Sequence, residues 1–106
     1  MQIYYGIFES IEDVSKEFYI NQSELDLIEI VYAQYDCENY EGYAHLIFIK
    51  DGLLFEVNGS HCSCNGLEGQ WYPEETTLNA LLARPNVSID AKNNLKERFK
   101  NLILFI

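Results

Sequence analysis

The chain has 106 residues, 48% hydrophobic and 14% aromatic, which suits one domain with a single core and favours a globular fold over disorder. Its formal charge is −10, and residues 1–83 hold only Lys16 and Lys50 against fifteen acids, a net −13. Such a body repels phosphate backbones, so direct nucleic-acid binding is excluded, while a protein partner with a basic surface is attracted.

In chain order, residues 3–8 are short and apolar and predict a strand or extended segment. Ser10-Ile11-Glu12-Asp13 resembles a capping box with Asp in place of Glu, and Ile11, Val14 and Phe18 recur at helical spacing, predicting a short helix over 11–19. From Leu27 the period changes to two. Ile28, Ile30, Tyr32 and Gln34 alternate with Glu29, Val31, Ala33 and Tyr35, as in a strand. Residues 36–42 read as a turn or short loop, 43–50 as a second strand, Asp51-Gly52 as a two-residue hairpin turn and 53–58 as a third strand. Pro73-Glu74-Glu75-Thr76-Thr77 has the form of a helix start, followed by an apolar stripe at Leu78, Leu81 and Leu82 that Pro85 ends. Ser88-Ile89-Asp90 opens a last helix with Leu95, Phe99 and Leu102 on one face. The expected fold is α+β over residues 1–106: a three-stranded antiparallel meander flanked by a short N-terminal helix and two C-terminal helices.

No apolar run approaches the roughly 18–20 residues of a membrane span. Met1-Gln2-Ile3-Tyr4-Tyr5 lacks the basic start of a signal peptide, and three cysteines, an odd number, fit free thiols in a reducing compartment. A cytoplasmic location without membrane contact is the expectation. The terminal Leu102-Ile103-Leu104-Phe105-Ile106 either completes the core or forms a homodimer seam.

Residues 59–71 concentrate the unusual side chains: Cys62, Cys64, His61, three glycines and the sole tryptophan, Trp71. Zinc needs four tetrahedral ligands, and Cys37, His61, Cys62 and Cys64 form one set that supplies them, with His45 as a substitute. The spacing is not that of paired C-x2–4-C knuckles, and the His-Cys-Ser-Cys string matches only the front half of a SWIM zinc motif. The other readings are small thiols packing a tight loop with no cofactor, or a cysteine nucleophile served by His45 with Glu56 or Glu68 behind it. The glycines, Gly59, Gly66 and Gly69, suit positive φ or close backbone approach, and Trp71 with Tyr72 offers aromatic anchors for a recognition loop. A second cluster is acidic. Tyr35, Asp36, Glu38, Tyr40, Glu41 and Tyr43 put carboxylates and amphipathic rings around one turn, as a protein-binding face would, and Glu24, Asp26 and Glu29 are candidates to extend it.

The string Gly59-Ser60-His61-Cys62-Ser63-Cys64, followed by Gly66-Leu67-Glu68-Gly69-Gln70-Trp71 and Pro73-Glu74-Glu75-Thr76-Thr77, resembles a family of small acidic, mostly uncharacterised bacteriophage and prophage proteins. Tyr40-Glu41-Gly42-Tyr43-Ala44 and Lys50-Asp51-Gly52 are similar to the same family's hairpin, so the likeness spans residues 28–84. Asn65 stands where that family commonly carries an aromatic. The resemblance implies a phage or mobile-element setting and no particular reaction. Small acidic phage proteins as a class include anti-CRISPR and anti-restriction inhibitors. The expected function is a non-enzymatic protein that binds and inhibits a host defence or nucleic-acid-handling protein, its acidic face acting as a DNA mimic. The alternatives are a zinc-binding structural module and a cysteine-dependent enzyme.

Overall fold

A computed structural model describes residues 2–62 and 66–100. At its centre lies a five-stranded mixed sheet in the order β1-β2-β3-β4-β5: β1 Tyr4–Gly6, β2 Glu29–Glu38, β3 Glu41–Lys50, β4 Leu53–His61 and β5 Glu74–Thr76. Helices α1 (Ile11–Phe18) and α2 (Gln22–Leu25) contribute the core of one face, α3 (Leu78–Ala83) and α4 (Ile89–Arg98) that of the other. The α+β class holds. The expected three-stranded meander is its middle, and each edge carries a further strand.

At one edge β1 runs parallel to β2, in the register Tyr4↔Ala33 to Gly6↔Tyr35. A parallel pair needs a long crossover, and residues 7–28 with α1 and α2 provide it. At the other edge, the predicted helix start at 73–77 is instead strand β5, paired through Leu54↔Thr76 and Glu56↔Glu74. The helix begins only at Leu78, because the Thr77 hydroxyl caps it by accepting the Ala80 N–H at 3.1 Å. Pro73 therefore precedes an edge strand, where its missing donor is tolerated. Ser88 caps α4 in the same way, accepting from Ala91 at 3.1 Å. Buried Asn94 then donates to the carbonyls of Gln2 (2.7 Å) and Val31 (3.2 Å), tying α4 to the β1–β2 side of the sheet.

The strict alternation expected across residues 28–35 breaks. The β2–β3 register shifts between Ile30 and Tyr32, a β-bulge that sends both Val31 and Tyr32 to the α3–α4 face. Ile30, Ala33 and Tyr35 consequently share the opposite core with Phe8, Val14, Phe18 and Leu25. Past the bulge, the polar residues Gln34 and Asp36 follow Tyr32 onto the α3–α4 face. This one extra residue decides which side chains reach the candidate site.

The strands also run further than their composition suggests. β2 continues to Glu38 and β3 starts at Glu41, which leaves a two-residue turn of Asn39 (φ 54°) and Tyr40 (φ 66°) in place of a loop over 36–42. Two successive positive φ values match the twist of the flanking strands. Asp51-Gly52 turns the next hairpin in the same manner (φ 53° and 77°), as its sequence predicts. β4 extends to His61, so Gly59, Ser60 and His61 are strand rather than loop.

Gly6 ends β1 at φ 70°, and a Cβ there would overlap the Tyr35 carbonyl, whose oxygen accepts the Ile7 N–H at 2.7 Å. Gly6→Ala is expected to lose about 1–3 kcal/mol of unfolding free energy. Urea unfolding measures it, and a change within about 0.5 kcal/mol would contradict this role for Gly6.

Candidate functional site

The end of the β2–β3 hairpin gathers most of the acidic tyrosine cluster. Asp36, Glu38, Asn39, Glu41, Gly42 and Tyr43 line one open depression of about 380 Å³. Tyr40 stands at the turn, 77% exposed. Tyr35 is placed elsewhere: only 5% exposed, it points into the α1–α2 core, because alternation puts it opposite Asp36. Glu29 begins β2, nine residues or about 30 Å from Glu38, and is engaged by Arg98 at 2.8 Å. Glu24 lies on α2, which contributes its Leu25 to the opposite core. These two acids thus do not extend the hairpin cluster.

Behind the hairpin, register assembles a polar surface that separate strand sequences do not reveal. Asp36, Tyr43 and Ser60 form one cross-strand row, and Gln34, His45 and Asn58 the next. The Tyr43 hydroxyl donates to Asn58 Oδ1 at 2.8 Å. A directed chain of hydrogen bonds reaches Asp36 from the start of α4: the Ser88 hydroxyl donates to Tyr32 Oη at 3.0 Å, Tyr32 donates to Gln34 Oε1, and the Gln34 amide donates to Asp36. Asp36 is therefore oriented from the protein interior, whereas Glu38 lies exposed beyond that chain.

Beneath this surface, buried His45 and Glu56 join the half-buried Arg84 in a triad. Glu56 Oε1 meets Arg84 Nη2 at 2.5 Å, its Oε2 accepts from His45 Nε2 at 3.1 Å, and Arg84 also donates to Thr76 Oγ1 at 3.1 Å. The pairing of His45 with Glu56 is one of the two that the nucleophile reading names, and Arg84 shares the same carboxylate. Burial pushes His45 below the usual histidine range. Burial opposes ionisation of Glu56, yet hydrogen bonds from Arg84 and His45 outweigh it and hold the carboxyl below the usual range.

Both shifts make the fold acid-sensitive in one direction. Each lowered pKa contributes stability that is complete above the unfolded value, 6.5 for His45 and 4.5 for Glu56, and is lost as pH falls through the folded value. Urea midpoints are expected to decline first below about pH 6.5 and again below about pH 4.5. His45→Phe removes the first decline. An identical profile in that variant would rule His45 out as its source.

Residues 66–72 are held by Gln70, Leu67 and Trp71. Gln70 acts as a substitute strand partner: its Oε1 accepts the Ser60 N–H and its amide donates to the Ser60 carbonyl, both at 2.8 Å, with a further bond to the Gly66 carbonyl at 3.0 Å. Leu67 is fully buried, and Trp71 stacks on Phe48 with centroids 5.7 Å apart. Gly59 permits a close approach, since a Cβ there would lie 3.0 Å from Leu67, and Gly69 turns at φ 75°. Tyr72 is 73% exposed. No feature of the sequence signals the role of Gln70.

Of the zinc-ligand set, Cys37 and Cys62 are exposed free thiols and Cys64 lies outside the described residues. Cys37, Gly42 and His61 share one cross-strand row. His61 Nδ1 donates to the Cys62 carbonyl at 3.0 Å, which leaves Nε2 to accept the Tyr35 hydroxyl at 2.6 Å. Both ring nitrogens are thus engaged. Among the described residues, no group of three or more His, Cys, Asp and Glu is gathered for an ion, and no helix is long and apolar enough to cross a membrane.

A cleft of about 340 Å³ opens on the α1–α2 face, lined by Glu24, Leu27, Ile28, Phe48, Lys50, Phe55, Trp71 and Pro73. Trp71 faces this cleft and not the acidic depression, so the sequence-predicted anchors divide between two places. Comparison of the chain with protein-family models, curated proteins and solved structures finds no match.

Proposed function

We propose that this protein works by binding a basic surface of another protein through the β2–β3 hairpin end. One observation carries the reading: Asp36, Glu38 and Glu41 converge with Tyr43 around a single open depression, in a chain of net charge −10. Carboxylates give long-range steering and discriminate between partners, while tyrosine rings supply contact area at low entropic cost. Gln34, Tyr43, Asn58 and Ser60, from two adjacent cross-strand rows, enlarge the contact beside them. In the phage setting that the 59–77 motif suggests, the partner is a host defence or nucleic-acid-handling protein, inhibited because the acidic face occupies its nucleic-acid channel. No step of this function requires catalysis or a cofactor.

Affinity capture from host-cell extract, repeated over a salt series, tests the proposal. A retained nucleic-acid-binding protein whose capture weakens as salt rises, and which free DNA displaces, is the expected result. Retention of only neutral or acidic proteins, indifferent to salt, would reject it.

A further inference from the structure

We propose that the cleft on the α1–α2 face binds a free aromatic amino acid. Three features of the cleft define the ligand. The first is the orientation of its rings. Phe55, Phe48 and Trp71 form a run of nearly parallel planes, with interplanar angles of 19° and 7° and centroids 5.5 and 5.7 Å apart. Phe18 packs edge-on against Trp71 at 5.2 Å and holds the indole in this arrangement. The three rings stack on one another, so a further flat ring can lie only against the outer members, Phe55 and Trp71, where offset stacking adds to the gain from apolar burial. Phe55 and Trp71 are only half-buried, so their rings retain surface for a ligand to cover.

The second feature is charge. Lys50 and Glu24 both line the cleft and both are exposed. Neither belongs to an ion pair among the described residues. Residues 1–83 contain only two lysines, and one of them stands here. A cation and an acid lining the same aromatic cleft match a zwitterion, with Lys50 receiving the carboxylate and Glu24 the ammonium group. The third feature is size. About 340 Å³ is near the lower end of ligand pockets, right for one ring on a short polar stem and too small for a nucleotide cofactor.

Trp71 is the only tryptophan, so its fluorescence reports on this cleft alone. The protein is excited at the red edge of indole absorption, where phenylalanine is silent, and titrated with L-phenylalanine, phenethylamine, 3-phenylpropionate and L-leucine. A saturable change with L-phenylalanine is expected. Its Kd should rise about fivefold when either ligand charge is removed, and about fivefold in each of Lys50→Gln and Glu24→Gln. L-leucine should give no saturable change. Both substituted side chains are exposed, so the variants retain the fold, which circular dichroism checks. No saturation by L-phenylalanine up to about 10 mM overturns the proposal. So does an unchanged Kd in either variant, or equal binding of L-leucine. The hairpin variant Asp36→Lys/Glu38→Lys/Glu41→Lys should bind L-phenylalanine like the parent, which separates this site from the protein-binding face.

Discussion

Replacing Glu56 with alanine is expected to destabilise the fold by about 3 kcal/mol, a large fraction of the roughly 5–15 kcal/mol that holds a domain together. The carboxylate is the common acceptor for His45 and Arg84, and its side chain is 6% exposed. Removing it leaves the buried His45 N–H without a partner and strips a guanidinium of its counter-charge. Arg84 is 35% exposed along its side chain and can turn towards water, which keeps the loss near the lower end of the range for broken buried pairs. Glu56→Gln keeps the volume and one acceptor, so a smaller loss is expected. The double variant Glu56→Leu/Arg84→Met should recover much of the deficit, because an apolar pair of similar volume avoids the cost of burying charge. Urea unfolding of the set at neutral pH measures this. A loss below about 1 kcal/mol in Glu56→Ala would show that the triad contributes no more than a surface ion pair.

Reversing the hairpin charges with Asp36→Lys, Glu38→Lys and Glu41→Lys together is expected to weaken partner binding by about a hundredfold or more at low salt, with the fold intact. All three side chains are exposed, so stability should change little. Against a basic surface, each reversal replaces attraction with repulsion, and like charges in an interface cost more than a lost pair. The loss should shrink as salt rises, since screening acts on exposed charges. Within the set, Asp36 should matter most singly, because the Ser88–Tyr32–Gln34 chain already holds its carboxylate in place. Binding that survives all three reversals at low salt would defeat the DNA-mimic reading.

Helix α1, the stop of α3 before Pro85 and the Asp51-Gly52 turn were legible in the sequence because each depends on neighbours a few residues apart. Edge strands β1 and β5 depend on distant partners. Three residues such as Glu74-Glu75-Thr76 have little strand character of their own and form one because Leu54 to Glu56 offers an open edge. Pro73 and two acids meanwhile imitate a helix start. The bulge at Ile30/Tyr32 was equally hidden, since Val31-Tyr32 continues a β-branched and aromatic run whichever way the side chains face.

The candidate site divides along the same line. Composition alone establishes an acidic body with its few cations mostly near the C-terminus, and local spacing puts Asp36, Glu38 and Glu41 about one turn, because charge and short-range geometry are properties of adjacent residues. Only the tertiary structure decides that Tyr35 turns inward while Asp36 turns outward, that Gln34, His45 and Asn58 meet in one row, and that Trp71 joins Phe48 and Phe55 at a separate cleft. The first two follow from strand register and one inserted residue, while Trp71 lies in the chain between β4 and β5 and packs on Phe48 from outside the strands. A shift of one position in a strand exchanges its faces, and long-range pairing, not the local chain, selects that position.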